Sequence, residues 1–506
     1  MKRTTISLLA AATALAAVTG FAAVTAPGGG SGATAAKSPV RLPVERSALV
    51  CPMAGSTDIA DTRHTSYTPA GGGTAGEQGA AVLKPVIRSS VERAAEPGED
   101  RAKEPGAEKR AITLKEPGKP VVAEEDGSEA PAFIGLATGG TAPGWTVQQT
   151  TAVTAGGGRG LLGLSCAAPR TEFWIPGAST AKGRQDYVHL TNPDDTPAVA
   201  DVMLYGKNGE LKTTLTEGVP VSAGSSLPIL LSTVTTEASA DVTVHVRTRS
   251  GRVGAAVRST ETETGSDWIA AAADPAGAAV LPGIPADATS VRLMVHAPGD
   301  RDADLKVELA GPSGRIVPLG GESLHVKAGM TTGLELKDVT KGEAGSLIVS
   351  PERAGRATPV VAALRVVRGK GDEQEVAFIP ATGPLGERAS VADNRSKGST
   401  LSLTAPDAAA RVKVTASAGE KGGEPVVKSY DIKAGTTLAV PAQVPSGLKG
   451  SYGLTVETES GGPVHGSRTL ALPDDGVEMF TVQPLLDDRG TVEVPEAEAD
   501  LSVLTD

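Results

Sequence analysis

The chain is predicted to be all-β, a set of tandem immunoglobulin-like β-sandwich domains, and three observations carry that prediction. After Cys166 the sequence is filled with short apolar/polar alternations of period two, with turn residues about every eight to twelve positions and almost no helical periodicity. Similar phrases recur: "VHLTNPDDTPAVADVML" from Val188, "LMVHAPGDRDADLKVEL" from Leu293 and "LSLTAPDAAARVKVTA" from Leu401. Aromatic residues make up only 3% of a chain that is 40% apolar, so its cores must be packed with Val, Leu and Ala.

At the start, Lys2 and Arg3 precede an uncharged, mostly apolar run from Ile6 to Val24, followed by the small-residue pattern Val24-Thr25-Ala26. This predicts an export signal over 1–26. The run is also nearly long enough to span a bilayer, so an uncleaved anchor, with membrane contact through that segment, stays open. Cys51 follows Val50 where a lipid-attachment site wants a small residue, which argues against a lipoprotein.

Residues 38–170 are expected to form an N-terminal β portion. A charged insertion from about 71 to 131 interrupts it, carrying Glu-Pro-Gly at 96–98, 104–106 and 116–118 and few large apolar residues. Such a segment buries too little apolar surface to offset its ordering entropy, so disorder is predicted there. The two cysteines, Cys51 and Cys166, flank it. For an exported chain with an even count, one disulfide between them is the economical pairing.

Three repeats follow, expected at 171–270, 271–378 and 379–490, with an acidic tail over 491–506. Pro193, Pro298 and Pro406 are spaced by 105 and 108 residues, and the glycines of "VSAG", "VKAG" and "IKAG", Gly224, Gly329 and Gly435, by 105 and 106. Asn208-Gly209 and Ser250-Gly251 mark hairpin turns. Trp174, Trp268, Phe378 and Phe480 recur at the seams between units, as packing positions do. A unit of about one hundred residues with about seven short strands has the size of an immunoglobulin-like sandwich. The expected arrangement is sandwiches stacked like beads.

The segments "LVCP", "LSCAAPRTEFWIPGAS", "LTNPDDTPAVADVMLYGKNG", "VTVHVRTRSGRVGAAV", "GSDWI" and "VLPGIP" resemble an actinobacterial family of exported proteins, domain-of-unknown-function family 5719. The likeness runs from about Arg41 to the end, apart from the charged insertion. It implies export and an all-β, envelope-facing body. It brings no activity, cofactor or catalytic residue.

Candidate chemistry is sparse. Ser179 and Lys182 match an S-x-x-K pattern, but strands flank them where that chemistry needs a helix start. Gly158, Gly160 and Gly163 imitate a dinucleotide fingerprint, with Cys166 and Pro169 interrupting the helix it requires. Asp300, Asp302 and Asp304 alternate at a strand mouth and form a weak calcium candidate. Six histidines are scattered without zinc spacing. Trp145, in a Gly/Thr-rich stretch, is the candidate ligand-facing aromatic. A formal net charge of −11 without basic patches argues against nucleic acid. The functional expectation is an exported, non-enzymatic envelope or surface scaffold or binding module, with no cofactor and an envelope protein or glycan as partner. The alternative is a carbohydrate-binding or wall-glycan-associated accessory to an envelope glycosyltransferase.

Overall fold

The computed structural model of the chain describes residues 40–55, 57–71, 78–88, 111–128, 130–474 and 476–495. The expected export signal, and the tail beyond residue 495, lie outside them. A short two-stranded ribbon pairs β1 (Val40–Pro43) with β38 (Thr491–Val494). The span from Pro43 to Thr491 is one compact unit.

That unit holds four β-sandwiches. The first contains β2 (Arg46–Cys51), β3 (Ala60–Tyr67), β4 (Ala81–Arg88), β5 (Ile112–Leu114), β6 (Val121–Asp126), β7 (Ala132–Thr138), β8 (Thr146–Val153) and β9 (Gly160–Ser165). The second contains β10 (Glu172–Ala178), β11 (Arg184–Asn192), β12 (Ala198–Gly206), β13 (Gly209–Glu210), β14 (Val219–Val221), β15 (Ser225–Leu230), β16 (Val242–Ser250), β17 (Gly254–Glu261) and β18 (Gly265–Ile269). The third contains β19 (Ala279–Ile284), β20 (Ala288–His296), β21 (Ala303–Ala310), β22 (Arg315–Ile316), β23 (Leu324–Val326), β24 (Thr331–Glu335), β25 (Gly345–Pro351), β26 (Val361–Arg368) and β27 (Glu375–Pro380). The fourth contains β28 (Arg388–Asn394), β29 (Ser399–Ala405), β30 (Ala410–Gly419), β31 (Gly422–Glu424), β32 (Val426–Ile432), β33 (Thr436–Pro441), β34 (Ser446–Lys449), β35 (Tyr452–Gly461), β36 (His465–Ala471) and β37 (Phe480–Leu485).

One topology is used four times. In each sandwich the opening strand pairs with the third strand from the end, which pairs in turn with the third from the start: β2-β7-β4, β10-β16-β12, β19-β25-β21 and β28-β35-β30. The facing sheets run β9-β8-β3-β6, β18-β17-β11-β15, β27-β26-β20-β24 and β37-β36-β29-β33. The N-terminal portion is therefore a fourth copy of the repeated unit.

The predicted disorder over 71–131 is corrected for its described parts, since β4, β5 and β6 lie inside that stretch. Ala81 and Leu83 of β4 face the first core together with Ile112 and Leu114 of β5. A few alternating apolar residues suffice there, because β7 and β3 supply the remaining hydrogen bonds of the ladders.

Strand alternation explains each core. In β12, Ala198, Ala200, Val202 and Leu204 are buried, while the residues between them are only partly covered. The hairpin that follows places Lys207 and Asn208 in its loop, and Gly209, with φ 105°, takes the positive-φ position. The recurrent "AG" marker has a single conformational cause. Gly224, Gly329 and Gly435 have φ of 55°, 69° and 71°, a left-handed turn that residues with a Cβ rarely adopt. Each sandwich carries its own apolar core.

The sandwiches do not stack like beads. Their final strands pack in a closed cycle, β9 on β18, β18 on β27, β27 on β37, and β37 back on β9. The opening sheets of the second, third and fourth sandwiches lean on the facing sheet of the next: β10 on β26, β19 on β36 and β28 on β8. Between the first and second sandwiches, β4 and β15 join edge to edge in parallel, merging two sheets into one of eight strands. Apolar seams complete the closure. Val376 and Phe378 of the third sandwich enter the second core, and Phe480 and Val482 of the fourth enter the third. Leu161 of the first meets Leu470 and Met479 of the fourth.

Candidate functional site: the polar axis and its mouth

The four final strands bring chemistry-bearing residues to the centre of the ring. Asp267, on β18, is 1% exposed. Its Oδ1 accepts from the Gly163 amide of β9 at 3.0 Å and from the Thr481 hydroxyl of β37 at 3.2 Å. Its Oδ2 accepts from the Phe378 amide of β27 at 3.4 Å. One carboxyl thus touches the other three axial strands. Burial holds it well above the usual carboxylate range, against the opposing pull of those amides and the hydroxyl. Space for the side chain is made locally. A Cβ on Gly163 would be driven into the Thr481 side chain.

At one end of the axis the strands open with Gly160, Gly265 and Glu375. Glu375 is fully buried, and neither carboxyl oxygen has a well-formed hydrogen bond. Burial pushes it up to about 9; the Arg159 charge and the nearby Val376 amide oppose the shift, and Asp267 adds to it. Arg159 reaches across from the first sandwich to the third. It donates to the carbonyls of Asp372 (2.9 Å) and Gln374 (2.6 Å), with its Nε 4.0 Å from Glu375 Oε2.

Beside them the second and third sandwiches are latched by charge. Arg365 of β26 forms a two-pronged pair with Glu261 of β17, one arm at 2.8 Å, and Arg184 lies 3.7 Å from the same carboxylate. Burial would raise Glu261, but Arg365 and Arg184 more than offset it and hold the group below its ordinary value. Asp186, buried beside Arg184, is shifted up by burial. Above this network opens a cleft of about 440 Å³, lined by residues of the first, second and third sandwiches.

The sequence candidates fall elsewhere. Cys51 and Cys166 form the disulfide, at a sequence separation of 115, and both are buried in the first core. Trp145 is not ligand-facing. It is 5% exposed in that same core, and its indole N–H donates to Ser66 at 2.9 Å. Its Gly/Thr-rich neighbours belong to a turn that delivers the ring inward. Asp300, Asp302 and Asp304 are exposed, and two of them converge on a histidine. Asp302 accepts from the Ala328 amide, and Asp302 and Asp304 both turn toward His325, at 3.4 and 2.7 Å. No group of three or more metal-type ligands forms among the described residues. Ser179 is buried, its hydroxyl donating to the Ser239 carbonyl and accepting from the Ala181 amide.

The scattered histidines hold one surprise. His245 and His296 lie against Trp174 at the seam of the second and third sandwiches, with ring centroids 3.6 and 5.3 Å away. Burial lowers His296 to about 4. Sequence reasoning missed Asp267, Glu375 and Arg159 altogether. The available signal was that "GLLG", "GSDW" and "EVAF" begin the matching final strands, with Leu162, Asp267 and Ala377 in the third place, so that one acid stands where the other copies are apolar.

The profile of DUF5719, a family of unknown function, matches residues 121–443, from β6 to just beyond β33. None of the curated proteins matches the chain.

Proposed function

The chain belongs to the DUF5719 family, and from that premise we propose that it works as an exported, non-enzymatic scaffold or binding module of the cell envelope. The observation that carries this reading is the use made of buried polar groups. Asp267 ties four strands, and Arg365 with Glu261 latches the second sandwich to the third. Gln148 of the first accepts from the Ala392 amide of the fourth at 2.7 Å. Ser467 of the fourth donates to the Pro282 carbonyl of the third at 2.8 Å. These groups are spent on fixing the sandwiches relative to one another, which gives the outer surface the constant geometry a scaffold needs.

The disulfide supports an oxidising compartment. No helix among the described residues is long and apolar enough to cross a membrane. The burial of Trp145 removes the one aromatic that favoured a glycan platform.

Three measurements test the proposal. Residues 1–39 fused to a reporter active only outside the cytosol should give signal; a silent fusion overturns export. Cross-linking on intact cells should capture an envelope component, with capture falling when the axis is opened by Asp267→Ala. Turnover of wall polysaccharide by the purified chain would overturn the non-enzymatic part.

A further inference from the structure

We propose that the cleft at the mouth of the axis is a binding site for a small organic cation, whose primary ammonium group seats over Glu375. The argument starts from an unmet need. A buried carboxyl group without a well-formed hydrogen bond is costly, and here both oxygens lack one, the Val376 amide giving only a weak opposing pull. Arg159 does not supply it. Its two terminal nitrogens are committed to carbonyls of the third sandwich, and its Nε stops 4.0 Å short.

Glu375 lies directly under the cleft floor. Gly265 lines that floor, and a side chain there would begin 2.7 Å from Glu375 Oε1. Residue 265, having no side chain, leaves the carboxyl uncovered from that side. The wall is able to give way as well. Gly156, Gly157 and Gly158 precede Arg159, and the backbone freedom of three successive glycines lets that loop change conformation.

Charge selects the ligand. Glu263 and Asp372 are exposed on the rim and Glu261 is in the wall. An anion entering would face these three carboxylates and one committed arginine. A sugar would find no aromatic ring in the lining on which to stack. An ammonium group brings the donors that Glu375 lacks and a charge the rim attracts.

Binding carries a proton signature. Near neutral pH Glu375 holds its proton, so an arriving ammonium displaces it: the neutral acid becomes a carboxylate paired to the cation, and the proton leaves to solvent. Facing Glu375 are Arg159 from the first sandwich and Asp267 from the second.

The inference rests on the binding half of the proposed function and not on its location, so the test is done on the purified chain. Titration calorimetry at pH 7.5 would compare 1,5-diaminopentane with 1,5-pentanediol and glutarate, in buffers of different ionisation enthalpy. Saturable binding is expected for the diamine alone, with release of about one proton per site. Glu375→Gln should weaken the diamine at least tenfold and abolish the proton release. The surface pair Glu263→Gln and Asp372→Asn should weaken it less and keep the proton release. Absence of diamine binding, equal binding of the diol or glutarate, or a folded Glu375→Gln variant that binds unchanged would each overturn the proposal. Failure here with successful capture from cells would remove this ligand and leave the scaffold reading standing.

Discussion

Asp267 Oδ1 lies 3.2 Å from the Thr481 hydroxyl, across 214 residues of chain and from the second sandwich to the fourth. The same oxygen holds the Gly163 amide of the first. Replacing Asp267 with Ala would leave these donors and the Phe378 amide unmet in a dry interior, at about 2–4 kcal/mol. Urea unfolding should show this loss, with a smaller one for Asp267→Asn, which keeps the volume and one acceptor. A loss below about 0.5 kcal/mol for Asp267→Ala would put the closure of the ring elsewhere.

Gly163 and Thr481 should be coupled. A Cβ at 163 has no room beside the Thr481 side chain, so Gly163→Ala is expected to cost about 1–3 kcal/mol through overpacking. Adding Thr481→Ala should recover much of it. A double-mutant cycle with an interaction energy near zero would show that these strands do not touch in solution.

Stability should fall as pH rises through neutrality. The unfolded chain ionises Glu375 near its ordinary value of 4.5, whereas the folded chain keeps the proton to about pH 9. Between those limits unfolding releases a proton, so each rise in pH favours the unfolded state, and the effect levels off above about pH 9. Asp267 acts with the same sign from its own ordinary value upward. Glu375→Gln removes the Glu375 part. Its advantage over the parent should grow from pH 5 to pH 9 in urea unfolding, and a constant difference would mean that Glu375 is already ionised in the fold.

Reduction of the Cys51–Cys166 bond should lower stability by about 4–5 kcal/mol on the chain-entropy model, given a loop of this length. The loss should centre on the first sandwich, whose opening strand and exit it joins. Hydrogen exchange after reduction should therefore rise first in β2 and β9. Uniform acceleration in all four sandwiches would instead make the bond a lock on the whole ring.

The sequence carried the strands because their rules are local. Period-two alternation buries Val202 and Leu204 wherever β12 sits, and the φ of Gly224 is written in its own turn. The disulfide was legible for a similar reason, since only two cysteines exist to pair. The fourth copy was not legible. Its third and fourth strands are separated by a long charged stretch, and Leu114 gives no sign that it shares a core with Leu49.

By itself, then, the sequence determined an all-β chain of repeated sandwiches with a cross-linked first unit. Tertiary structure alone decided that the sandwiches close on one another, that Trp145 points inward, and that Asp267, Glu375 and Arg159 converge on one axis. The physical reason is range. Alternation and turn conformation act over a few residues, whereas a buried carboxyl such as Asp267 acquires its meaning from partners that chain folding brings from more than one hundred residues away on either side.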